Sequence, residues 1–164
     1  MEKKLAWDND LSKLTESEFN LLMDAALSRV VSPNYSSSPM ATIYRGSIAG
    51  KFAERGLFTE ALDLGRRSDP IVKDHVWINV INVMVKKKMF DQAIGLAKDI
   101  TTVPMYAAPW QRDSFEKIIL GLKDAGYNKA QVEKAFIRHN VKLETQKIIL
   151  EDYFPPQIPL NLSR

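Results

Sequence analysis

The sequence predicts an all-α chain built of stacked antiparallel helical hairpins, and three observations carry that prediction. Apolar residues recur at helical spacing, helix-start and helix-stop residues punctuate them, and one short pattern returns at a fixed distance. Phe58-Thr59-Glu60-Ala61-Leu62-Asp63-Leu64 is matched 32 residues later by Phe90-Asp91-Gln92-Ala93-Ile94-Gly95-Leu96, and more loosely by Gly126-Tyr127-Asn128-Lys129-Ala130. Periods of roughly 34 residues are the signature of stacked helix pairs. Two helices of a pair must approach closely at one point, which favours Ala or Gly. A large side chain beside that point fills the gap before the next pair.

The elements follow in order. Thr15 and Glu18 form a capping-box pattern, and Phe19, Leu22, Ala26 and Val30 then recur at helical spacing, so a helix is expected over 16–31. Ser32-Pro33-Asn34-Tyr35 and Ser36-Ser37-Ser38-Pro39 are dense in turn formers and mark the main internal boundary. Ile43, Ile48 and Phe52 belong to a second helix that stops near Gly56, where glycine can take the left-handed conformation of a helix end. A short helix runs from Thr59 through Leu64. Asp69-Pro70 restarts the chain with a capping carboxylate and a proline at the first helical position. Val76, Ile78, Val80, Ile81, Val83 and Val85 are β-branched and would suit a strand. Trp77, Val80, Ile81 and Met84, however, fall at i, i+3, i+4 and i+7, and Lys86-Lys87-Lys88 suits a helix C-terminus, so 70–87 is read as helix. Further helices are expected at 90–101, 109–125, 128–139 and 143–152. In the tail Phe154-Pro155-Pro156-Gln157-Ile158-Pro159, three prolines prevent continuation.

Composition bounds the function. The chain has 164 residues with 45% hydrophobic, 7 Gly and 8 Pro, enough apolar surface to offset an ordering cost on the order of 1–2 kcal/mol per residue. A soluble globular domain is expected. Twenty-three basic against twenty acidic residues leave +3, a mild bias that allows nucleic-acid binding without requiring it. Zero Cys excludes disulfides, thiolate nucleophiles and Cys-bound zinc. The longest nearly apolar run, Val76 to Val85, is interrupted by Asn79 and Asn82, whereas a membrane span needs about 20 residues. Met1 to Leu14 lacks the apolar stretch of a secretory signal, so a cytoplasmic location without membrane attachment is expected.

The recurring pattern resembles the tetratricopeptide family and its pentatricopeptide relatives. Trp77, Phe90 and Ala93 stand where the pattern wants its two aromatics and its alanine. Ala49, Phe52, Gly56, Phe58 and Ala61 match in the first copy. Phe115, Ile118, Leu122 and Gly126 match in the third, where Tyr127 and Ala130 fit only through a turn one residue shorter. Arg45 departs from the first aromatic and Lys88 from the turn glycine. The resemblance covers about 41–139 and implies a right-handed superhelix of about three hairpins; a non-repetitive helical bundle is the alternative. It divides the chain into an N-terminal helix and Ser/Pro-rich loop (1–40), the repeats (41–139), and a C-terminal helix with its Pro-rich tail (140–164). Helices 16–31 and 143–152 would cap apolar faces that stacked hairpins otherwise expose.

Catalytic patterns are weak. Gly46-Ser47-Ile48-Ala49-Gly50-Lys51 is one residue short of a phosphate loop, has Phe52 where Ser or Thr should bind magnesium, and is read as helix. His75 and His139 lack a spaced carboxylate signature, so no metal site is expected, and surface or capping roles suit them. Glu16/Glu18 and Asp63/Asp69 read as solvated helix faces. The expectation is a chain that is not an enzyme and holds no cofactor.

One polar stripe stands out. His75, Asn79, Asn82 and Lys86 fall at i, i+4, i+7 and i+11 on an otherwise apolar helix. In tetratricopeptide-like folds the first helix of each hairpin lines a concave groove, so the resemblance implies that this stripe faces a ligand. Ser47, Gly50 and Glu54 would join it from the first copy, and Glu116, Leu120 and Lys123 from the third. The stripe could instead be the wetted side of an amphipathic helix, or bond to a neighbouring helix. The family's carboxylate clamp is absent, because Gly46 and Gly50 take its places. Arg66, Arg67, Lys73, Lys87 and Lys88 form a basic group that suits acidic peptides or phosphates, or simply a solvated face. The expected partner is another protein, held as an extended peptide or helix. The alternative is single-stranded RNA, with Asn79 in the pentatricopeptide base-reading place. The tail with Tyr153, Phe154, Pro155 and Pro156 could pack in a groove of its own chain or of a neighbour and block the site.

Overall fold

Local side-chain caps at Thr15, Asp69 and Asn128 satisfy the first free N–H groups of the helices that follow them. In a computed structural model, residues 13–31, 39–66, 69–101 and 110–155 are described. They form α1 (Glu16–Val31), α2 (Pro39–Glu54), α3 (Phe58–Arg66), α4 (Pro70–Lys86), α5 (Phe90–Ala97), α6 (Trp110–Asp124), α7 (Lys129–Arg138) and α8 (Leu143–Tyr153), with no strand among the described residues. The Ser/Pro-rich stretch 32–38 lies outside them. At α1 the Thr15 hydroxyl accepts from the Glu18 N–H at 3.3 Å while the Glu18 carboxylate accepts from the Thr15 N–H at 2.8 Å. Hydrogen bonds from Thr15 hold the Glu18 carboxyl below its ordinary range. Asp69 Oδ1 accepts from the N–H groups of Ile71 and Val72 at 3.0 and 3.1 Å, which starts α4. Asn128 and Gln131 close a reciprocal box at α7.

The β-branched stretch is helical. Lost rotamer freedom costs a few tenths of a kcal/mol per residue. Burying each such side chain returns about 1.5–3 kcal/mol, and Val76, Val80, Ile81 and Val83 are all buried.

The same closure ends four helices. The N–H of Leu57 returns to Phe52 O, Met89 to Met84 O, Tyr127 to Leu122 O and Val141 to Phe136 O. One residue earlier, Gly56 returns to Ala53 O, Lys88 to Val85 O, Gly126 to Lys123 O and Asn140 to Ile137 O. This is the Schellman arrangement, which requires a left-handed residue just past the helix. Gly56, Lys88, Gly126 and Asn140 supply it, with φ of 85°, 60°, 87° and 53°. Lys88 therefore adopts the left-handed conformation that Gly56 and Gly126 take at the equivalent turns.

After Gly56 and Lys88 the next helix starts two residues on, at Phe58 and Phe90. After Gly126 it starts three residues on, at Lys129, because Asn128 is inserted as the cap. The turn is thus longer, where the sequence match needed it shorter. Ala130 is exposed, and Val132 and Phe136 take the buried places that Ala61 and Gly65 hold in α3 and Ala93 and Ala97 in α5.

The chain divides into two compact units, one ending at Val80 and the other beginning at Ile81, inside α4. In the first unit α1 packs on α2, and α2 on α3. Phe19 meets Phe52 edge-on with centroids 5.5 Å apart. Arg55 lies 4.7 Å over the Phe19 ring and its Nη2 donates to the Leu14 carbonyl at 2.6 Å, tying the start of α1 to the α2–α3 turn. At Gly65 a Cβ would stand 3.2 Å from Val76 Cγ1 and 3.3 Å from the Lys73 backbone, so α3 crosses α4 without room for a side chain.

In the second unit α5 packs on α6, and α8 on both α6 and α7. Phe115 meets Phe136 at 5.3 Å, among buried Ile94, Ile118, Ile119 and Leu122. Gln111 Nε2 donates to the carbonyls of Lys98 and Ile100, both at 3.0 Å, and closes the end of α5. A Cβ on Gly121 would stand 2.6 Å from Val85 Cγ1. No helix among the described residues is long and apolar enough to cross a membrane.

Candidate interaction faces

In the first unit, the phosphate-loop-like segment lies wholly within α2, and its first glycine has a packing role. A Cβ on Gly46 would stand 2.6 Å from both Asn79 Nδ2 and His75 Cδ2. The bare backbone there makes a notch that receives the two α4 side chains. At Gly50 a Cβ would meet Asn79 Cβ at 3.8 Å, an ordinary contact. His75 and Asn79 are consequently half-buried. Asn79 Nδ2 donates to the His75 carbonyl at 2.9 Å, so one of the donors that base reading would use serves the helix itself. Burial pushes the His75 imidazole below its ordinary value, which favours the neutral ring. His75 thus stands in a helix–helix contact rather than on the open surface expected for it.

Around this notch the outward side of α2 carries Ile43, Tyr44, Ser47 and Glu54, all exposed. Lys51 holds Glu54 at 3.0 Å. Ile71, one turn before His75 on α4, is 54% exposed. Lys73 pairs with buried Asp74 at 3.4 Å and lies 4.6 Å over the Trp77 ring. Trp77 Nε1 is buried without a hydrogen-bond partner among the described residues. Arg66 is paired with Asp63 at 2.8 Å, and Arg67 lies outside the described residues.

In the second unit, Asn82 is half-buried while Lys86, Lys87 and Lys88 are exposed at the end of α4. The described basic residues singled out in the sequence are therefore distributed over both units, and Arg66 and Lys73 of the first are matched locally with acids.

Glu116 and Lys123 are engaged by the chain's own C-terminal helix. Arg112 Nε donates to Glu116 at 2.8 Å and its Nη2 to Asp152 at 2.8 Å. Glu116, and secondarily Asp152, raise the Arg112 guanidinium above its ordinary value. Partial burial, followed by the Glu116 carboxylate that its hydroxyl contacts, pushes the Tyr153 phenol up. Lys123 Nζ donates to the Tyr153 carbonyl at 3.0 Å and lies 5.2 Å over the Phe154 ring. Sequence reasoning named Glu116 and Lys123 but missed Arg112 and Asp152. The i, i+4 spacing of Arg112 and Glu116 was a local signal; the pairing with Asp152, 40 residues on, left none.

Two further features have mixed chemistry. Asp91 accepts from His139 Nε2 at 2.9 Å and from Arg138 Nη1 at 3.2 Å. An Asp–His pair supplies two of the three members of a hydrolytic triad, but His139 caps α7 and its second ring nitrogen points toward Gly95, where a Cβ would stand 3.8 Å away. A cleft of about 350 Å³ opens between Lys98–Thr101, Gln111 and Asn140–Thr145, floored by Ile100, Phe115 and Val141. Among the described residues no three His, Asp or Glu side chains converge as metal ligands would. No protein family, curated protein or solved structure matches the chain.

Proposed function

We propose that the chain is a non-catalytic, cofactor-free interaction scaffold acting in the cytoplasm, in which the first helix of each hairpin presents its outward side to an extended segment or helix of another protein. In this reading α2 and the first part of α4 offer Ile43, Tyr44, Ser47, Glu54 and Ile71, and the end of α4 and α6 offer Asn82, Lys86, Glu116 and Lys123. The observation that carries it is the repeated closure of α2, α4 and α6 by a left-handed residue, followed within three residues by the next helix. In helical-repeat proteins the first helix of each hairpin contributes to the binding surface. The resemblance to the tetratricopeptide pattern adds the expectation of three such hairpins and two capping helices.

Affinity purification from native extract with the wild-type chain and an Asn82→Trp variant tests the proposal. Asn82 is half-buried, so a bulky ring there obstructs the face while circular dichroism stays unchanged. Loss of a co-purifying protein is the expected result, and undiminished recovery would refute the assignment. Gel retardation with short single-stranded RNA separates the rival: a shift that weakens steeply with salt would replace the protein partner with RNA.

A further inference from the structure

The outward row of α6 already holds an occupant, and that occupant describes what the row accepts. Arg112, Glu116, Leu120 and Lys123 fall on one side of the helix at i, i+4, i+8 and i+11. The end of α8 lies against them. Arg112 receives an acid, Asp152, at 2.8 Å; Glu116 helps to push the Tyr153 phenol up; Lys123 receives the Tyr153 carbonyl at 3.0 Å and the Phe154 ring at 5.2 Å. Resting on the scaffold reading above, we propose that this row is a docking surface for a partner helix whose last turn carries an acid, a tyrosine and a second aromatic. The chain's own Asp152-Tyr153-Phe154 fills it until such a helix displaces it.

Three observations support an exchangeable occupant. The Arg112–Asp152 pair is about half-exposed on both sides, and exposed ion pairs are individually weak. The α8 N-terminus at Lys142 has no side-chain cap, so this helix is held through buried Gln146 and Leu150 and through the clasp at its end. Leu120 stays 46% exposed beside the occupied positions. A partner that keeps the acid–tyrosine–aromatic order and covers Leu120 as well removes apolar surface from water that the chain's own segment leaves wet, and so competes successfully.

The probe is a fluorescent peptide with the sequence of Leu143–Pro155, added to full-length protein. In an Asp152→Arg, Tyr153→Ala double variant the clasp is open, and the peptide is expected to bind about tenfold or more tightly than to the wild type, since each 1.4 kcal/mol lost by the competing segment is a factor of ten. Adding Lys123→Glu to the opened chain should abolish that binding. Equal affinity for opened and closed chains, or binding indifferent to Lys123→Glu, would overturn the proposal. If the opened variant loses its helical signal, wild-type protein in excess peptide gives the answer by hydrogen exchange. Faster exchange across 143–155 supports displacement, and unchanged exchange refutes it. Failure of the scaffold reading is distinguishable: Asn82→Trp would then leave partner recovery intact whatever the peptide does.

Discussion

Gly46 and Asn79 approach so closely that a Cβ on the glycine would stand 2.6 Å from the amide nitrogen, with the His75 ring at the same distance. The α2–α4 contact therefore depends on a missing side chain. Gly46→Ala must push both polar side chains aside, at a cost of about 1–3 kcal/mol typical of overpacking, reduced by the ~1 kcal/mol that alanine gains over glycine in a helix. Gly50→Ala meets only an ordinary 3.8 Å contact, so the propensity gain dominates and stability holds or rises. Urea unfolding of the two variants should move in opposite directions. Equal shifts would mean that the notch is not tight.

The left-handed turn residues give a second sign test. Lys88 holds φ 60°, a conformation that costs an L side chain roughly 1 kcal/mol relative to glycine. Lys88→Gly is expected to raise the urea midpoint, and Gly126→Ala, at φ 87°, to lower it. Both substitutions leave the partner face proposed above untouched.

Acid should weaken the fold through His75. Its imidazole is shifted below the ordinary 6.5 by burial, so the folded chain binds its proton less readily than the unfolded chain. The contribution is fully present above about pH 6.5 and is lost as pH falls through the interval between the unfolded and the folded values. Urea titrations from pH 7.5 to 5 should show this decline, and His75→Gln should flatten it. A decline of undiminished slope in His75→Gln would assign the acid sensitivity elsewhere.

Gln111 joins α6 to the end of α5 through the carbonyls of Lys98 and Ile100. Its removal leaves the part-buried Ile100 carbonyl without that donor, at about 1–2 kcal/mol. Gln111→Ala should lower the unfolding midpoint and speed hydrogen exchange in the last turn of α5, leaving α1 and α2 unaffected.

The helices were legible because their boundaries are written in neighbouring residues. Thr15 with Glu18, Asp69 before Pro70, Gly56 and Gly126 act within one turn, and the expected segments 16–31, 70–87 and 143–152 agree with α1, α4 and α8 to within one residue at each end. The turn before α7 departs from the recurring pattern for an equally local reason. Asn128 was counted as part of the recurring pattern, yet its side chain caps α7 and lengthens the turn, which moves the inward place from Ala130 to Val132.

What touches what across the chain obeyed a different rule. The stripe His75, Asn79, Asn82 and Lys86 was readable from spacing alone, but spacing could not tell that its first two members would enter a glycine notch some thirty residues upstream. Nor could it tell that Arg112 would find Asp152, or Lys123 the Tyr153 carbonyl. A cap forms between residues that the backbone already holds together, so its partners are named by their order. A helix–helix contact is selected by shape and burial among many segments at once, and that choice exists only when the chain has folded.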